Sequence, residues 1–325
     1  MHAVVLHAYG PAANLRYETV PDPSPGPGQV RIAVKAAGVH LVETVMRTGL
    51  VSETAPPPPE LPAIMGGEVA GTVDAVGDGV DPDWLGREVV TKEGRPGGYA
   101  ELAVADLGVV HRIPGELGHE AAVAMIVTGC TALEFLDVAE LTSDDVVLVT
   151  SAAGGIGRLV VQYARRLGAT VIGAAGGPAK VAAVRELGAD VAVDYDQPGW
   201  ERTVAELLGG RTVTALLDGV GGDKARAAFE LLADGGRYLV VGWASRQNFE
   251  PDPELLKERG MTATNVLMQL IAQPDDRPQY EARALAAAAE GTLVPAVHAF
   301  PLAETAAAHA ALESRATTGK VVLVP

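Results

Sequence analysis

The sequence predicts an α/β protein in which a doubly wound parallel sheet is joined to a β-rich domain. Short apolar runs, separated by Gly and Pro, fill residues 1 to about 120. From about 125 to 265, apolar strand-like runs alternate with helical stretches. A glycine-rich turn joins the first of these strands to the helix that follows it. A chain of 325 residues is long enough for two domains.

Charge and cysteine content exclude several classes of protein. Lys plus Arg is 25 and Asp plus Glu is 41, so the net charge is 25 − 41 = −16. Such a surface repels a nucleic acid, and any anion site must be built locally. A single cysteine, Cys130, excludes a disulfide within the chain and a thiolate zinc cage, and we expect a buried structural thiol. Because no window reaches about 18 apolar residues, we expect no membrane span and a cytoplasmic protein.

The first stretch is predicted to form a small barrel or sandwich of strands. The strand-like runs are Ala3–Leu6, Val30–Val39, Glu68–Val76, Arg87–Val90, Tyr99–Val104 and Val109–Ile113. A proline run at 55–62 is incompatible with a central strand, because proline lacks an amide donor. We interpret it as a stiff surface loop, with the lip of a substrate cleft as the alternative.

The middle stretch is predicted to form the parallel sheet, because strands buried on both faces are continuous apolar runs. The predicted strands are Val146–Val149, Thr170–Gly173, Asp190–Val193, Val213–Leu217, Arg237–Val241 and Thr262–Val266. Beyond them we expect a helix, a strand over 292–300, another helix and a terminal strand at 320–324 that returns to the first domain. The predicted domains are therefore 1–123 with 267–325, and 124–266.

The glycine turn is the strongest chemical signal. A strand leads directly into Ser151-x-x-Gly154-x-x-Gly157, and a helix follows. A turn of this kind lets bare backbone approach a pyrophosphate and points the free amides of a helix N-terminus at that anion. We therefore predict a dinucleotide site; a purely structural tight turn is the alternative, and Ser in the first position departs from the usual fingerprint. The predicted contacts are Ser151, Ala153, Gly154, Gly155, Ile156 and Gly157.

The choice of cofactor depends on the end of the second strand. An NAD site usually has an acidic residue about 20 residues after the turn, where it binds the ribose 2′-hydroxyl. The run from Gly173 to Gly177 contains no acid, Lys180 follows it, and Tyr195 comes after the third strand. We therefore predict NADPH, bound by Gly173, Lys180 and Tyr195. The alternative is that Lys180 is a solvated helix lysine and Tyr195 a loop residue.

The sequence resembles the zinc-free quinone oxidoreductase (zeta-crystallin-like) branch of the medium-chain dehydrogenase/reductase superfamily over essentially its whole length. The matching segments besides the glycine turn are GVHLVETVMRTG (38–49), MGGEVAGTVDAVGDGV (65–80), GGYAELAV (97–104), VTGCTALEFL (127–136) and TGKVVLVP (318–325). The resemblance implies a Rossmann domain joined to a GroES-like domain. It also implies cofactor contacts at Thr128, Gly242, Ser245 and Lys320.

The resemblance argues against catalytic zinc. The zinc-dependent relatives would have Cys at position 40, His at 67 and Cys at 124, where this chain has His40, Gly67 and Ala124. Catalytic zinc needs three protein ligands and an open position. We therefore predict no metal site, and the other histidines show no metal-like spacing.

This chain departs from the quinone oxidoreductase pattern in its catalytic segment. The usual Asn is His40, the usual Asp is Glu43, and Val51 replaces a Tyr that is the proposed proton donor of the related enoyl-thioester reductases. Losing that Tyr argues against enoyl-thioester chemistry, whereas a reduced quinone can take its proton from water. Glu43 and Arg47, one helical turn apart, are expected to form an ion pair.

Two interpretations of His40 stay open at this point. Either it lines the nicotinamide cleft and gives a hydrogen bond or proton to the substrate oxygen, or it packs under the cofactor at a strand end. The predicted substrate cleft comprises His40, Val51 and Trp243, and the alternative for Trp243 is a core residue.

These observations predict an NADPH-dependent oxidoreductase that transfers hydride to a quinone or an α,β-unsaturated carbonyl compound. The alternatives are a nucleotide-binding structural or sensor protein without turnover, and a tailoring reductase with one narrow substrate. The strand over 262–266 would be a sheet edge. Because unpaired edges invite pairing with a second copy, we expect a homodimer through this edge.

Overall fold

The computed structural model describes residues 1–51, 57–95, 97–272 and 277–325, so the first two residues of the proline run at 55–62 lie outside the described part. Its contacts divide the chain into two compact units. The first comprises Met1–Cys130 and Pro278–Pro325, and the second comprises Thr131–Arg277. The predicted domain limits, after 123 and after 266, both fall earlier in the chain.

The first unit is β-rich, as the short apolar runs predict. Its N-terminal part contains β1 (His2–Leu6), β2 (Leu15–Thr19), β3 (Gln29–Val39), β4 (Ala63–Ile64), β5 (Val69–Val76), β6 (Glu88–Thr91), β7 (Leu102–Asp106) and β8 (Val110–Arg112). Its helices here are α1 (Leu41–Arg47) and α2 (His119–Ile126), and α3 (Thr128–Ala139) begins in this unit. The predictions omitted β2, β4 and α2.

The second unit is an α/β domain whose strands alternate with helices. The strands are β9 (Val146–Thr150), β10 (Thr170–Ala175), β11 (Val191–Asp194), β12 (Val213–Asp218), β13 (Leu232–Val240) and β14 (Thr262–Asn265). The helices are α4 (Gly155–Leu167), α5 (Pro178–Glu186), α6 (Trp200–Leu208), α7 (Gly222–Phe229), α8 (Pro253–Glu258) and α9 (Val266–Ala272).

These six strands form one parallel sheet in the order β11-β10-β9-β12-β13-β14. The doubly wound fold predicted from the sequence is thereby confirmed. The order reverses beside β9, so the carboxyl ends of β9 and β12 flank the crevice where such folds bind ligands. Leu148, Ile172 and Leu216 on adjacent strands are fully buried, which explains why the strands are continuous apolar runs. The strand β14 lies at the edge of the sheet.

The C-terminal segment adds α10 (Arg277–Ala289), β15 (Val297–Pro301), α11 (Thr305–Glu313) and β16 (Lys320–Val324). The strand β16 pairs antiparallel with β3, so the chain ends in the sheet of the first unit, as predicted. The predicted strand over 292–300 is wrong in its first half. The amides of Thr292 and Leu293 both donate to the carbonyl of Ala287, which folds this segment back on the end of α10.

Two further sheet features define the first unit. A seven-stranded sheet has the order β15-β16-β3-β5-β6-β8, with β7 also paired to β3, and a three-stranded sheet has the order β2-β1-β4. Within the described ranges, no single helix is long and apolar enough to cross a membrane; only the bent pair α2 and α3, taken together, meets that length and composition.

Candidate functional site

The glycine turn leaves the central strand β9 and enters α4. Ser151 adopts a left-handed backbone conformation with φ of 54°. The amide of Gly154 donates to the carbonyl of Ser151 at 2.9 Å, which closes the turn. A Cβ at Gly157 would collide with that carbonyl and lie 2.9 Å from the Ala152 Cα. The glycine at 157 is therefore required for α4 to begin this close to the strand.

The amino end of α4 has the properties of an anion site. Gly154 is its N-cap and provides no side-chain cap, and its first turn contains no acidic residue. The first amides of a helix lack intrahelical acceptors and carry the positive end of the helix dipole. Ser151, Ala153, Gly154, Gly155, Ile156 and Gly157 all lie in or beside this turn. These residues fit a pyrophosphate, which would be held by main-chain amides.

The predicted contacts beyond the turn have different surroundings. Gly173 is buried in β10, where a Cβ would collide with Val184 and lie 3.2 Å from the Ala152 Cβ. Its lack of a side chain therefore serves the packing of α5 on the sheet. Lys180 is half-buried on α5. Tyr195 follows β11, with the Lys224 amino nitrogen 3.9 Å from its ring centroid.

The carboxylate of Asp218 is buried at the crevice beside the glycine turn. The sequence predictions did not include it. Asp218 ends β12, is 0% exposed and accepts hydrogen bonds from the Thr150 hydroxyl at 2.6 Å and the Val220 amide at 3.0 Å. The same Thr150 hydroxyl oxygen accepts from the Gly219 amide at 2.9 Å. Burial raises the pKa of Asp218. The sequence feature that could have identified Asp218 is an acidic residue at the end of an apolar strand.

The turn after β13 lines a cavity of about 270 Å³ within the second unit. The predicted residues Gly242 and Trp243 contribute to its wall, together with Tyr238, Phe249 and Asn265. A Cβ at Gly242 would come 2.9 Å from the Gly219 carbonyl oxygen, so this turn lies directly on the one after β12. The Ser245 hydroxyl accepts from the Gln247 amide at 3.1 Å.

In the first unit the structure brings three ionisable side chains together, and we call them the His40–Glu68–Lys320 cluster. The Nε2 of His40 lies 2.9 Å from Glu68 Oε2 and 2.9 Å from Lys320 Nζ. Lys320 Nζ lies 2.6 Å from the same Glu68 oxygen. The side chains of Glu68 and Lys320 are only 2% and 5% exposed, whereas that of His40 is 27% exposed.

This cluster holds Glu68 as a carboxylate. Burial by itself raises the pKa of Glu68, but the neighbouring His40 and Lys320 lower it to about 2. The Glu68 carboxylate has room in this position because residue 38 is glycine: a Cβ there would collide with Glu68 Oε2. Glu68 lies in the matching segment 65–80 but is not among the predicted site residues.

His40 and Glu43 are joined at the start of α1. The Glu43 carboxylate accepts from the His40 amide at 2.7 Å and from the Tyr99 hydroxyl at 2.7 Å. The predicted ion pair between Glu43 and Arg47 is wrong: Arg47 donates instead to Glu313 at 2.5 Å and to the Gly10 carbonyl at 2.8 Å. Helix α1 turns the two side chains toward different neighbours.

The remaining predicted residues of the first unit are dispersed. Thr128 is buried at the start of α3, and Cys130 is buried as expected. Val51 is 79% exposed and precedes residues 52–56, which lie outside the described part. Within the described ranges, no group of three or more His, Cys, Asp or Glu side chains could hold a metal ion.

Two family profiles match the chain. Residues 26–115 match the profile described as "Alcohol dehydrogenase GroES-like domain", and residues 155–287 match that described as "Zinc-binding dehydrogenase". The first range lies in the β-rich first unit, and the second begins at the amino end of α4.

Similar proteins align with the whole chain. A quinone oxidoreductase of Pseudomonas aeruginosa is 33% identical over 323 residues, covering 98% of both chains. A 2-haloacrylate reductase of Burkholderia sp. is 30% identical, covering 99% of this chain and 98% of its own. The solved structure of Escherichia coli quinone oxidoreductase complexed with NADPH superposes with a TM-score of 0.86 at 27% identity, covering 100% of both chains. The chain therefore belongs to the zinc-free quinone oxidoreductase branch of the medium-chain dehydrogenase/reductase superfamily.

Proposed function

We propose that this protein is an NADPH-dependent oxidoreductase that transfers hydride to a quinone or an α,β-unsaturated carbonyl compound without zinc. The amino end of α4 is the observation that carries the proposal. It is uncapped, free of acidic residues and placed at the crevice of a doubly wound sheet. An acidic protein needs such a local site to bind a dinucleotide.

The relatives support both the cofactor and the substrate class. Two of them are named for quinone reduction, and one of these is described in complex with NADPH. A third is named for reduction of a 2-haloacrylate, which has a carbon–carbon double bond conjugated to a carboxyl group. Both substrate types accept a hydride at carbon or oxygen of a conjugated system.

In this function the residues of the chain would bind and orient the cofactor and would help to protonate the substrate. The amides of Gly155, Ile156 and Gly157 bind the pyrophosphate, and Lys180 and Tyr195 contact the adenosine end. Thr128, Gly242 and Ser245 orient the nicotinamide end. The dihydronicotinamide, when bound, supplies the hydride. Val51 cannot donate a proton. A quinone substrate is compatible with this, because the oxygen of the reduced quinone can take a proton from water.

We propose that His40 gives a hydrogen bond or a proton to the substrate oxygen. Its Nε2 contacts the Glu68 carboxylate and the Lys320 amino group, so the buried cluster fixes the position of the imidazole ring. On this role His40→Ala lowers kcat on quinones by roughly tenfold or more. His40→Asn serves as the comparison that keeps a polar side chain of smaller size. An unchanged kcat in both variants leaves His40 with a packing role only.

The decisive test of the function is to mix the protein with NADPH and a panel of quinones and enals and follow the loss of NADPH absorbance. Consumption with any member supports an enzyme of this class. Binding of NADPH without consumption across the panel supports the structural or sensor alternative. Failure to bind either nicotinamide nucleotide refutes the proposed function.

Cofactor choice has a separate test. Lys180→Ala should raise the KM for NADPH much more than that for NADH, because only NADPH carries the 2′-phosphate. Lys257→Ala, on the exposed face of α8, is the matched loss of a positive charge and should leave both constants unchanged. Equal effects of Lys180→Ala on the two cofactors would contradict the assignment.

Two further features of the proposal can be measured on the purified protein. Metal analysis should find no stoichiometric zinc, and a chelator should leave the rate unchanged. We also expect a cytoplasmic protein. The edge position of β14 favours a homodimer formed by pairing of two such edges. A monomeric mass in analytical ultracentrifugation would contradict this assembly.

A further inference from the structure

The end of β10 is where a doubly wound fold usually distinguishes NADPH from NADH. The acidic residue that binds the ribose 2′-hydroxyl lies about 20 residues after the glycine turn, and here that position is Gly176. The structure nevertheless brings an acid to this point from the neighbouring strand. A Cβ at Gly176 would collide with Asp196 Oδ2 and lie 3.1 Å from Tyr195 Cε2.

Two aspartates lie at the end of β11, and they serve different purposes: Asp194 is its last residue and Asp196 comes two residues later. Asp194 Oδ1 accepts from the Gly177 amide at 2.9 Å and from the Asp196 amide at 3.0 Å, so this carboxylate fixes the two turns. Asp196 is half exposed, with 55% of its side chain accessible, and its carboxylate lies against Gly176. A negative charge at this point favours a ribose hydroxyl and repels a 2′-phosphate.

A lysine from α7 meets this carboxylate. Lys224 Nζ forms an ion pair with Asp196 Oδ1, and it lies over the ring of Tyr195 at 3.9 Å from the centroid. The aromatic face attracts the ammonium group and limits where it can go. Only 26% of the Lys224 side chain is exposed, so this charge is less screened than that of an ordinary surface lysine.

We propose that Lys224, held over Tyr195 and paired with Asp196, is a specificity-determining residue for NADPH over NADH. Its charge cancels that of Asp196 at the place where the 2′-phosphate binds. Without Lys224, Asp196 takes the part of the ribose-binding acid, and the site prefers the unphosphorylated cofactor. This inference rests on the proposed function, because it concerns the same nucleotide site.

The test uses two fragments that differ by one phosphate. The binding of 2′,5′-ADP and of 5′-AMP is measured by calorimetry on the whole protein, so the result does not depend on turnover. We expect Lys224→Met to weaken 2′,5′-ADP binding by about tenfold, equivalent to about 1.4 kcal/mol, while 5′-AMP binding changes less than about twofold. Lys257→Met is the charge-matched control and should alter neither affinity.

The contribution of Asp196 is isolated by a second variant. Asp196→Asn should tighten 2′,5′-ADP binding, and in the Asp196→Asn background the Lys224→Met substitution should have an effect several times smaller. An equal loss in both backgrounds would mean that Lys224 acts without Asp196 and would overturn the inference. So would an unchanged preference in Lys224→Met. If the wild-type protein binds neither fragment and does not bind NADPH, the proposed function fails as well; if it binds both fragments and Lys224→Met has no effect, only this inference fails.

Discussion

Glu68 and Lys320 form a buried ion pair, with 2.6 Å between Oε2 and Nζ, at the point where the last strand enters the sheet of the first unit. Glu68 immediately precedes β5, and Lys320 is the first residue of β16. The strand between them in the sheet is β3, which carries Gly38 and ends just before His40. The ion pair thus connects three strands, and His40 contacts both of its members.

Removing the charge of Glu68 should destabilise the protein strongly. Glu68→Gln leaves the Lys320 ammonium buried without its counter-ion, and breaking a buried pair in this way costs about 3–5 kcal/mol. Denaturant unfolding near neutral pH measures the change. Asp234→Asn is the comparison, because it breaks an ion pair with Arg259 at the surface. The Asp234 side chain is 78% exposed, so this variant should cost less than about 1 kcal/mol. Equal small losses in both variants would show that the buried pair contributes no more than the exposed one.

Acid should weaken the fold through the same group. The folded-state pKa of Glu68 is about 2, below its ordinary 4.5, because His40 and Lys320 outweigh the effect of burial. Between these values the unfolded chain binds more protons than the folded one, so the contribution of Glu68 is complete above 4.5 and is lost as pH falls toward 2. Free energies of unfolding measured across this range should fall less steeply in Glu68→Gln than in the wild type. Parallel curves would contradict the low pKa.

A methyl group at position 38 should displace the Glu68 carboxylate. A Cβ there collides with Glu68 Oε2 and lies 3.0 Å from Val123 Cγ1, and overpacking of this kind costs about 1–3 kcal/mol. We expect Gly38→Ala to lower the free energy of unfolding by that amount and to reduce kcat through His40. Gly108→Ala is the control, because a Cβ at Gly108 meets no atom within 4 Å. A Gly38→Ala variant as stable as the control would show that the carboxylate has room to move.

His309 should add an acid-sensitive contribution of its own. It is 0% exposed, its Nε2 lies 3.1 Å from the Tyr99 hydroxyl, and burial together with the Arg47 charge lowers its pKa to about 3. The unfolded chain therefore binds an additional proton between about 3 and the ordinary 6.5, and stability falls as pH drops through this range.

The variant His309→Gln keeps a hydrogen-bond donor for Tyr99 but does not titrate. Between about pH 7 and about pH 5 the wild type should lose about 2 kcal/mol more stability than this variant, since one pH unit corresponds to 1.36 kcal/mol per proton. Denaturant unfolding at the two pH values gives the difference. If both proteins lose the same amount, His309 is not held neutral by the fold.

Part of the site could be predicted because it is local in the sequence. The turn from Ser151 to Gly157 and the strand and helix on either side of it are consecutive residues, and their chemistry depends on backbone conformation. The ion pair predicted between Glu43 and Arg47 also rested on local spacing, and it was wrong. Tyr99 and Glu313 come from distant parts of the chain and give these two side chains better partners.

The absence of an acid at the end of β10 shows a second limit of local inference. The run from Gly173 to Gly177 does lack an acid, but parallel pairing places Asp194 opposite Ala175 and brings Asp196 beside Gly176. Lys224 arrives from α7, after a further strand. The charge at this position is therefore set by three segments. The sequence analysis looked for an acid only in the first of them, although it named Tyr195 from the second.

The sequence alone determined the class of fold and the position of the dinucleotide turn, because both follow from hydrophobic periodicity and glycine placement over a few neighbouring residues. Only the tertiary structure decided which charged groups face one another. Glu68 and Lys320 meet because β16 returns to pair with β3 beside β5. Burial then turns that meeting into a strong interaction, since charges removed from water must be neutralised by the partners that the topology supplies.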